Sequence, residues 1–190
     1  MALLTESYVR KLGAQTRSAT ADSAMLAKSG TNKEFDVFLS HSTVEPREIV
    51  DGIRSVLQLH GLSVYVDYHD DPTLSPARVN RSTAEGLRNR LRHSKSLLYI
   101  HSEHSASSKW MPWEMGFMDG LTGYVGIVPI VDSKEYDFKG VEYLSLYPFV
   151  DRANDKGKRD QLWINDGPKK YARLKQWIQE DEQIEHRDAS

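Results

Sequence analysis

Phe35-Asp36-Val37-Phe38-Leu39-Ser40-His41-Ser42-Thr43 passes from an apolar run of strand formers into a polar turn. Downstream, Ile49, Ile53, Val56, Leu57 and His60 recur at helical spacing until Gly61 stops the pattern. Ser42 or Thr43 is placed to cap that helix, with Glu45 and Glu48 near its positive end. Strand, polar turn and amphipathic helix in this order is the opening of an alternating α/β chain.

The alternation continues outward. Leu62 to Val66 reads as a second strand, followed by a polar loop from Asp67 to Asn80. Ala84, Leu87 and Leu91 mark one face of a short helix, and Arg88 and Arg92 occupy another. Ser96 to His101 is the third strand, Trp110 to Leu121 a helix, and Val125 to Val131 a fourth strand apolar enough to be covered on both faces. Tyr143 to Val150 reads as a weaker fifth strand, which Pro148 consigns to an edge. Lys158 to Asn165 is a turn-rich excursion. Pro168 is expected to start a last helix, buried through Tyr171, Leu174, Trp177 and Ile178. The reading is a flavodoxin-like three-layer fold with a central, mostly parallel five-stranded sheet and helices on both faces. Residues 1–32 form a locally basic arm, flexible or oligomerising; 33–180 form the domain; 181–190 are an acidic, frayed tail.

Composition narrows the function. The 190 residues, 39% of them apolar, suffice for one ordinary core. A net charge of −2 gives no basic field for nucleic acid, and the absence of cysteine removes thiol nucleophiles and thiolate-ligated zinc. The N-terminus is a poor signal peptide and no run suits a spanning helix, so a soluble cytoplasmic protein with no membrane partner is expected. There is no GxGxxG after the first strand, no GxxxxGK[ST], no HExxH and no GxSxG. His101 and His104 flank no third ligand, so no metal site is expected.

Ligands in such a sheet sit beyond the carboxyl ends of the strands. The segments there are Ser40 to Thr43, Asp67 to Asn80, His101 to Trp110 and the loop after Val131. One of them runs into Ser107-Ser108-Lys109-Trp110-Met111-Pro112-Trp113-Glu114, which opens an apolar helix around a single acid. A carboxylate in this company is costly to bury unless it is paired or used. On spacing alone Glu114 could equally be a half-exposed first-turn acid favoured by the helix dipole. Trp113 reads as core filling, as a lid, or as both.

The residues quoted so far resemble a known family. Phe35 to Ser42, Gly61-Leu62-Ser63-Val64-Tyr65-Val66-Asp67, Leu91-Arg92-His93-Ser94-Lys95-Ser96, and Ser108-Lys109-Trp110 with Glu114 are similar, in this order, to the conserved blocks of Toll/interleukin-1 receptor (TIR) domains. The run from Trp110 to Phe117 looks most like a bacterial, stand-alone, defence-associated (Thoeris-type) subgroup. The chain departs from the family in its so-called BB loop, where Pro72-Thr73-Leu74-Ser75-Pro76-Ala77 replaces the usual glycine and acid.

The resemblance implies an NAD+ glycohydrolase or cyclase that cleaves the nicotinamide–ribose bond, with Glu114 catalytic and NAD+ a substrate rather than a cofactor. It also implies an ADP-ribose-derived signal, cyclic or conjugated, made in antiphage defence and sensed by a separate effector, and homo-oligomers held by TIR–TIR contacts. Trp110 would stack on a substrate ring and Phe38 would line the cleft floor. Ser40 and His41 would bond ribose or phosphate, Asp67 and Tyr68 would shape the pocket, and Arg81 or Arg78 would face a phosphate. The rival readings are a non-enzymatic TIR adaptor or decoy using the BB loop and the Arg88/Arg92 face, and a nucleotide-sensing module without turnover.

Overall fold

The computed structural model describes residues 2–20, 33–71, 81–132, 142–167 and 169–186. The strands are β1 Leu4–Thr5, β2 Phe35–Ser40, β3 Val64–Tyr65, β4 Ser94–His101, β5 Val125–Val131, β6 Phe149–Asn154, β7 Asp160–Asn165, β8 Lys170–Arg173 and β9 Glu185–His186. The helices are α1 Glu6–Thr20, α2 Arg47–Leu59, α3 Asp67–Asp70, α4 Arg81–Arg92, α5 Trp110–Leu121 and α6 Leu174–Gln179. Five strands run parallel in the order β3-β2-β4-β5-β6, and the flavodoxin-like expectation holds for this part of the sheet. The order reverses between β2 and β4, which opens a crevice at their carboxyl ends.

Every residue of β2 is buried, as a strand with parallel neighbours on both sides and helices on both faces requires. The pleat divides the core in two. Val37, Leu39, Leu98 and Ile100 face α2 residues such as Ile49, Ile53 and Val56. Phe35, Phe38, Leu97 and Tyr99 face Leu87 and Leu91 of α4 and Met111, Met115 and Met118 of α5.

Asp36 is the exception in this apolar strand, and it is fully used. Its Oδ2 accepts hydrogen bonds from the Ser63 amide (2.9 Å) and hydroxyl (2.8 Å), and Oδ1 accepts one from Lys95 Nζ at 3.0 Å. Burial pushes its pKa up, but the Ser63 and Lys95 bonds outweigh burial and leave it lowered. Asp36→Ala should cost about 2 kcal/mol at pH 7, since it removes the charge-assisted hydrogen bonds that Ser63 and Lys95 make to the carboxylate. Because the folded pKa is depressed, this advantage is present above the unfolded value of 3.8 and is lost as pH falls through the folded one. Urea denaturation at pH 7 and pH 2.5 checks it; an equal difference at both would rule out the ionised bond.

Several expectations are corrected. Residues 2–20 are not a loose arm: β1 pairs with β5, Leu4 opposite Ile130, and α1 packs along α2 with Val9 wholly buried. Residues 21–32 lie outside the described residues. No Ser or Thr side chain caps α2; Pro46 holds that position. Glu142–Leu146 is a 3₁₀ turn rather than strand. Phe149–Asn154 is not an edge, because β7, β8 and β9 extend the sheet antiparallel beyond it. The excursion of 158–165 is thus largely strand. Residues 170–173 are strand too, and the last helix begins at Leu174, not near Pro168. In the tail, Glu185 and His186 pair with Tyr171 and Lys170 instead of fraying.

Candidate active site

At the crevice, the end of β2, the first turns of α5 and the start of α3 converge. Met111, Met115 and Met118 of α5 are buried, and Glu114 falls on the same stripe at helical spacing, so the helix carries its carboxylate inward. Glu114 is 6% exposed, and Ser40 Oγ donates a 2.7 Å hydrogen bond to its Oε2. Burial drives the Glu114 pKa up to about 7, against the opposing pull of the Ser40 bond and the His41 charge.

His41 is held on both sides. Its Nδ1 lies 3.0 Å from the Ser42 carbonyl and its Nε2 3.0 Å from Asp67 Oδ1. Both partners can only accept, so an imidazole that makes both bonds is protonated. Burial disfavours that charge, yet the Asp67 bond and charge raise the His41 pKa above its ordinary value. Asp67 is correspondingly lowered in spite of its own burial. The site therefore combines a near-neutral carboxyl group with a preformed imidazolium–carboxylate pair.

Phe38, Ser40, His41, Asp67, Leu87 and Glu114 line a space of about 10 Å³, room for roughly one water molecule. Five of the expected residues meet here. Four do not line this space. Tyr68 turns to α2, where its hydroxyl donates to Asp51 Oδ1 at 2.7 Å. Arg81 is largely exposed and pairs with Glu85 at 3.1 Å. Trp110 and Trp113 meet edge to face, Trp113 stacks on Phe117, and Arg88 lies over the Trp113 ring. Arg78 and the altered stretch 72–77 lie outside the described residues.

Two contributors escaped the sequence reading. Leu87 was legible only as one residue of a helix face. Asp51 is a buried carboxylate on α2 that accepts from both Tyr68 and His69, each at 2.7 Å, and so ties the start of α3 to the core. An acid inside the apolar stretch Ile49-Val50-Asp51-Gly52-Ile53 was the available signal.

A five-stranded parallel sheet with a crevice at its order reversal, and a buried acid in that crevice, define an α/β protein with its candidate site where open α/β sheets bind ligands. The profile of the TIR domain family matches residues 37–163, and the chain belongs to that family. It is 40% identical over 152 residues to a Bacillus cereus (strain MSX-D12) protein named "Probable 3' cyclic ADP-D-ribose synthase ThsB'", covering 79% of this chain and 78% of the relative. It is also 31% identical over 94 residues to "Probable 2' cyclic ADP-D-ribose synthase TcpO" of Methanobrevibacter olleyae, covering 50% of this chain and 26% of that longer protein. No described helix is long and apolar enough to cross a membrane.

Proposed function

We propose that this chain cleaves the nicotinamide–ribose bond of NAD+ and closes the ADP-ribosyl group into a cyclic ADP-ribose isomer, a signal molecule of antiphage defence read by a separate effector. The observation that carries the reading is the buried Glu114 carboxyl, bonded by Ser40 at 2.7 Å in the crevice of a TIR fold. The names of the relatives support a cyclic product over free ADP-ribose.

The chemistry asks little of the protein beyond charge and position. Nicotinamide leaves a cationic glycoside as a neutral molecule, taking the bonding pair of the C–N bond, so no general acid is required. The ribosyl centre becomes oxocarbenium-like, and an ionised Glu114 stabilises that charge while binding ribose hydroxyls. A hydroxyl of the same molecule then forms the new C–O bond, and its proton passes to bulk solvent. His41, fixed by Asp67, supplies positive charge suited to the pyrophosphate side. Phe38 and Leu87 exclude water that would otherwise intercept the cation.

Incubating the protein with NAD+ and resolving products by liquid chromatography and mass spectrometry tests this. Nicotinamide together with a cyclic isomer is expected. Nicotinamide with ADP-ribose alone would overturn the cyclase assignment, and no nicotinamide under any condition would overturn the enzyme.

The pH profile carries its own prediction. Because catalysis needs ionised Glu114, kcat/KM should fall about tenfold per pH unit below about 7 and level off above it. Ser40→Ala removes the bond that favours ionisation, so the midpoint should move up by about one pH unit, with activity largely recovered at pH 9. An unmoved midpoint would show that the bond does not tune this acid.

The space beside Glu114 must widen to admit a ribose. We therefore expect TIR–TIR self-association to favour the open site, so that specific activity rises at least about tenfold as protein concentration is increased through the association range. Constant specific activity across a change from monomer to oligomer would exclude this coupling.

A further inference from the structure

The segment that leaves β2 serves a second cavity. Four residues beyond His41, Glu45 reaches a space of about 360 Å³ at the carboxyl ends of β4 and β5, within the range of small-molecule sites. Among the described residues its walls are apolar at Ile49, Ile130 and Val131, and the rest of the lining is acidic except for Ser102 and His104. Glu6 is matched by Arg10 at 2.6 Å, and Glu103 Oε1 lies 3.4 Å from His104 Nε2. Among the described residues, Glu45 and Asp132 have no ion pair.

Glu45 is 6% exposed, and only one of its oxygens is satisfied. Oε2 accepts the Ser102 hydroxyl at 2.5 Å, whereas the buried Oε1 accepts no hydrogen bond among the described residues. A buried carboxylate with an unused acceptor is costly, and a bound donor of opposite charge relieves both deficits. No three ligating side chains converge on a metal position among the described residues. A hard cation demanding six or more oxygens is therefore poorly served. An alkylammonium needs only scattered acceptors for its N–H bonds and an apolar wall for its stem.

We infer that this cavity binds a small primary amine, its ammonium on Glu45 Oε1 and its methylene stem along Ile49, Ile130 and Val131. Exposed Asp132 on the same lining suits a second ammonium, so a short diamine is the best-matched shape. The site is distinct from the Glu114 crevice and does not depend on NAD+ cleavage.

Isothermal titration of the full chain with 1,4-diaminobutane at constant ionic strength tests it. Saturable binding of the diamine is expected, with none for 1,4-butanediol or for added sodium chloride. Glu45→Gln should weaken the diamine about 30-fold or more, and Asp132→Asn about threefold. Glu114→Gln should leave the affinity unchanged. Equal heats from the diol or the salt, or unchanged affinity in Glu45→Gln, would overturn the inference. So would loss of binding in Glu114→Gln, which would put the amine in the other crevice. Should Glu45→Gln not fold, the exposed Asp132→Asn variant decides: undiminished binding there overturns the diamine site.

Discussion

Glu114→Gln is expected to abolish NAD+ cleavage, by at least about a thousandfold, while making the protein more stable at pH 8. The loss follows from the role proposed for the carboxylate. Gln keeps the shape and still accepts the Ser40 hydrogen bond, but it carries no charge to set against an oxocarbenium centre. The gain follows from burial. The folded pKa is about 7 against 4.5 for the free group, so the folded protein holds this proton more tightly than the unfolded chain. Stability therefore falls as pH rises from about 4.5 to about 7, and above that range the wild type carries a penalty of about 3 kcal/mol. Gln avoids the penalty but buries an amide N–H, which takes back part of it, leaving a gain of about 2 kcal/mol at pH 8. Below pH 4.5 the gain should disappear. Nicotinamide release and urea denaturation at the two pH values measure both halves. Residual turnover near wild type would remove Glu114 from the chemistry; equal stability at pH 8 would show that its ionised form is not penalised. A site acid that costs stability is a usual mark of function.

The second large effect lies far from the crevice. Gly13 of α1 and Gly52 of α2 let the two helices approach backbone to backbone. A Cβ added at Gly52 would sit 1.9 Å from the Val9 carbonyl oxygen, and one at Gly13 would sit 2.1 Å from that of Glu48. Neither obstacle is a side chain that can swing away. Gly52→Ala should therefore push α1 off α2 and cost about 3 kcal/mol or more, the upper range for overpacking, although alanine is the better helix former. Gly13→Ala should behave alike. The double variant should cost little more than either single one, since a helix already displaced has no contact left to lose. Urea denaturation, with tryptic cleavage at Lys11 as a report on α1, reads the result. Full additivity, or wild-type protection of Lys11, would contradict the close approach.

These two cases show where the chain was legible. The helix around Glu114 and the first strand could be read because their signals are local: a run of strand formers, a helical period, an acid in apolar company. The pairing of Glu114 with Ser40 could not, because it joins positions 74 residues apart and depends on which strand lies beside which helix. Trp110 was expected at the ligand from the family resemblance, and Trp113 as core filling, a lid or both. Trp110 and Trp113 meet edge to face, and Trp113, a third of a turn off the line of Glu114, stacks on Phe117 along α5.

The sequence by itself determined the alternation of strand and helix, the parallel sheet, and the acid around which a site could form, since side-chain periodicity and turn chemistry act over a few residues. Only the tertiary structure decided that residues 2–20 belong to the core, that β6 is interior with three antiparallel strands beyond it, and that His41 is clamped by Asp67. Those outcomes rest on contacts between distant segments, where a missing Cβ, a buried donor or a shared carboxylate acts only once the chain has folded around it.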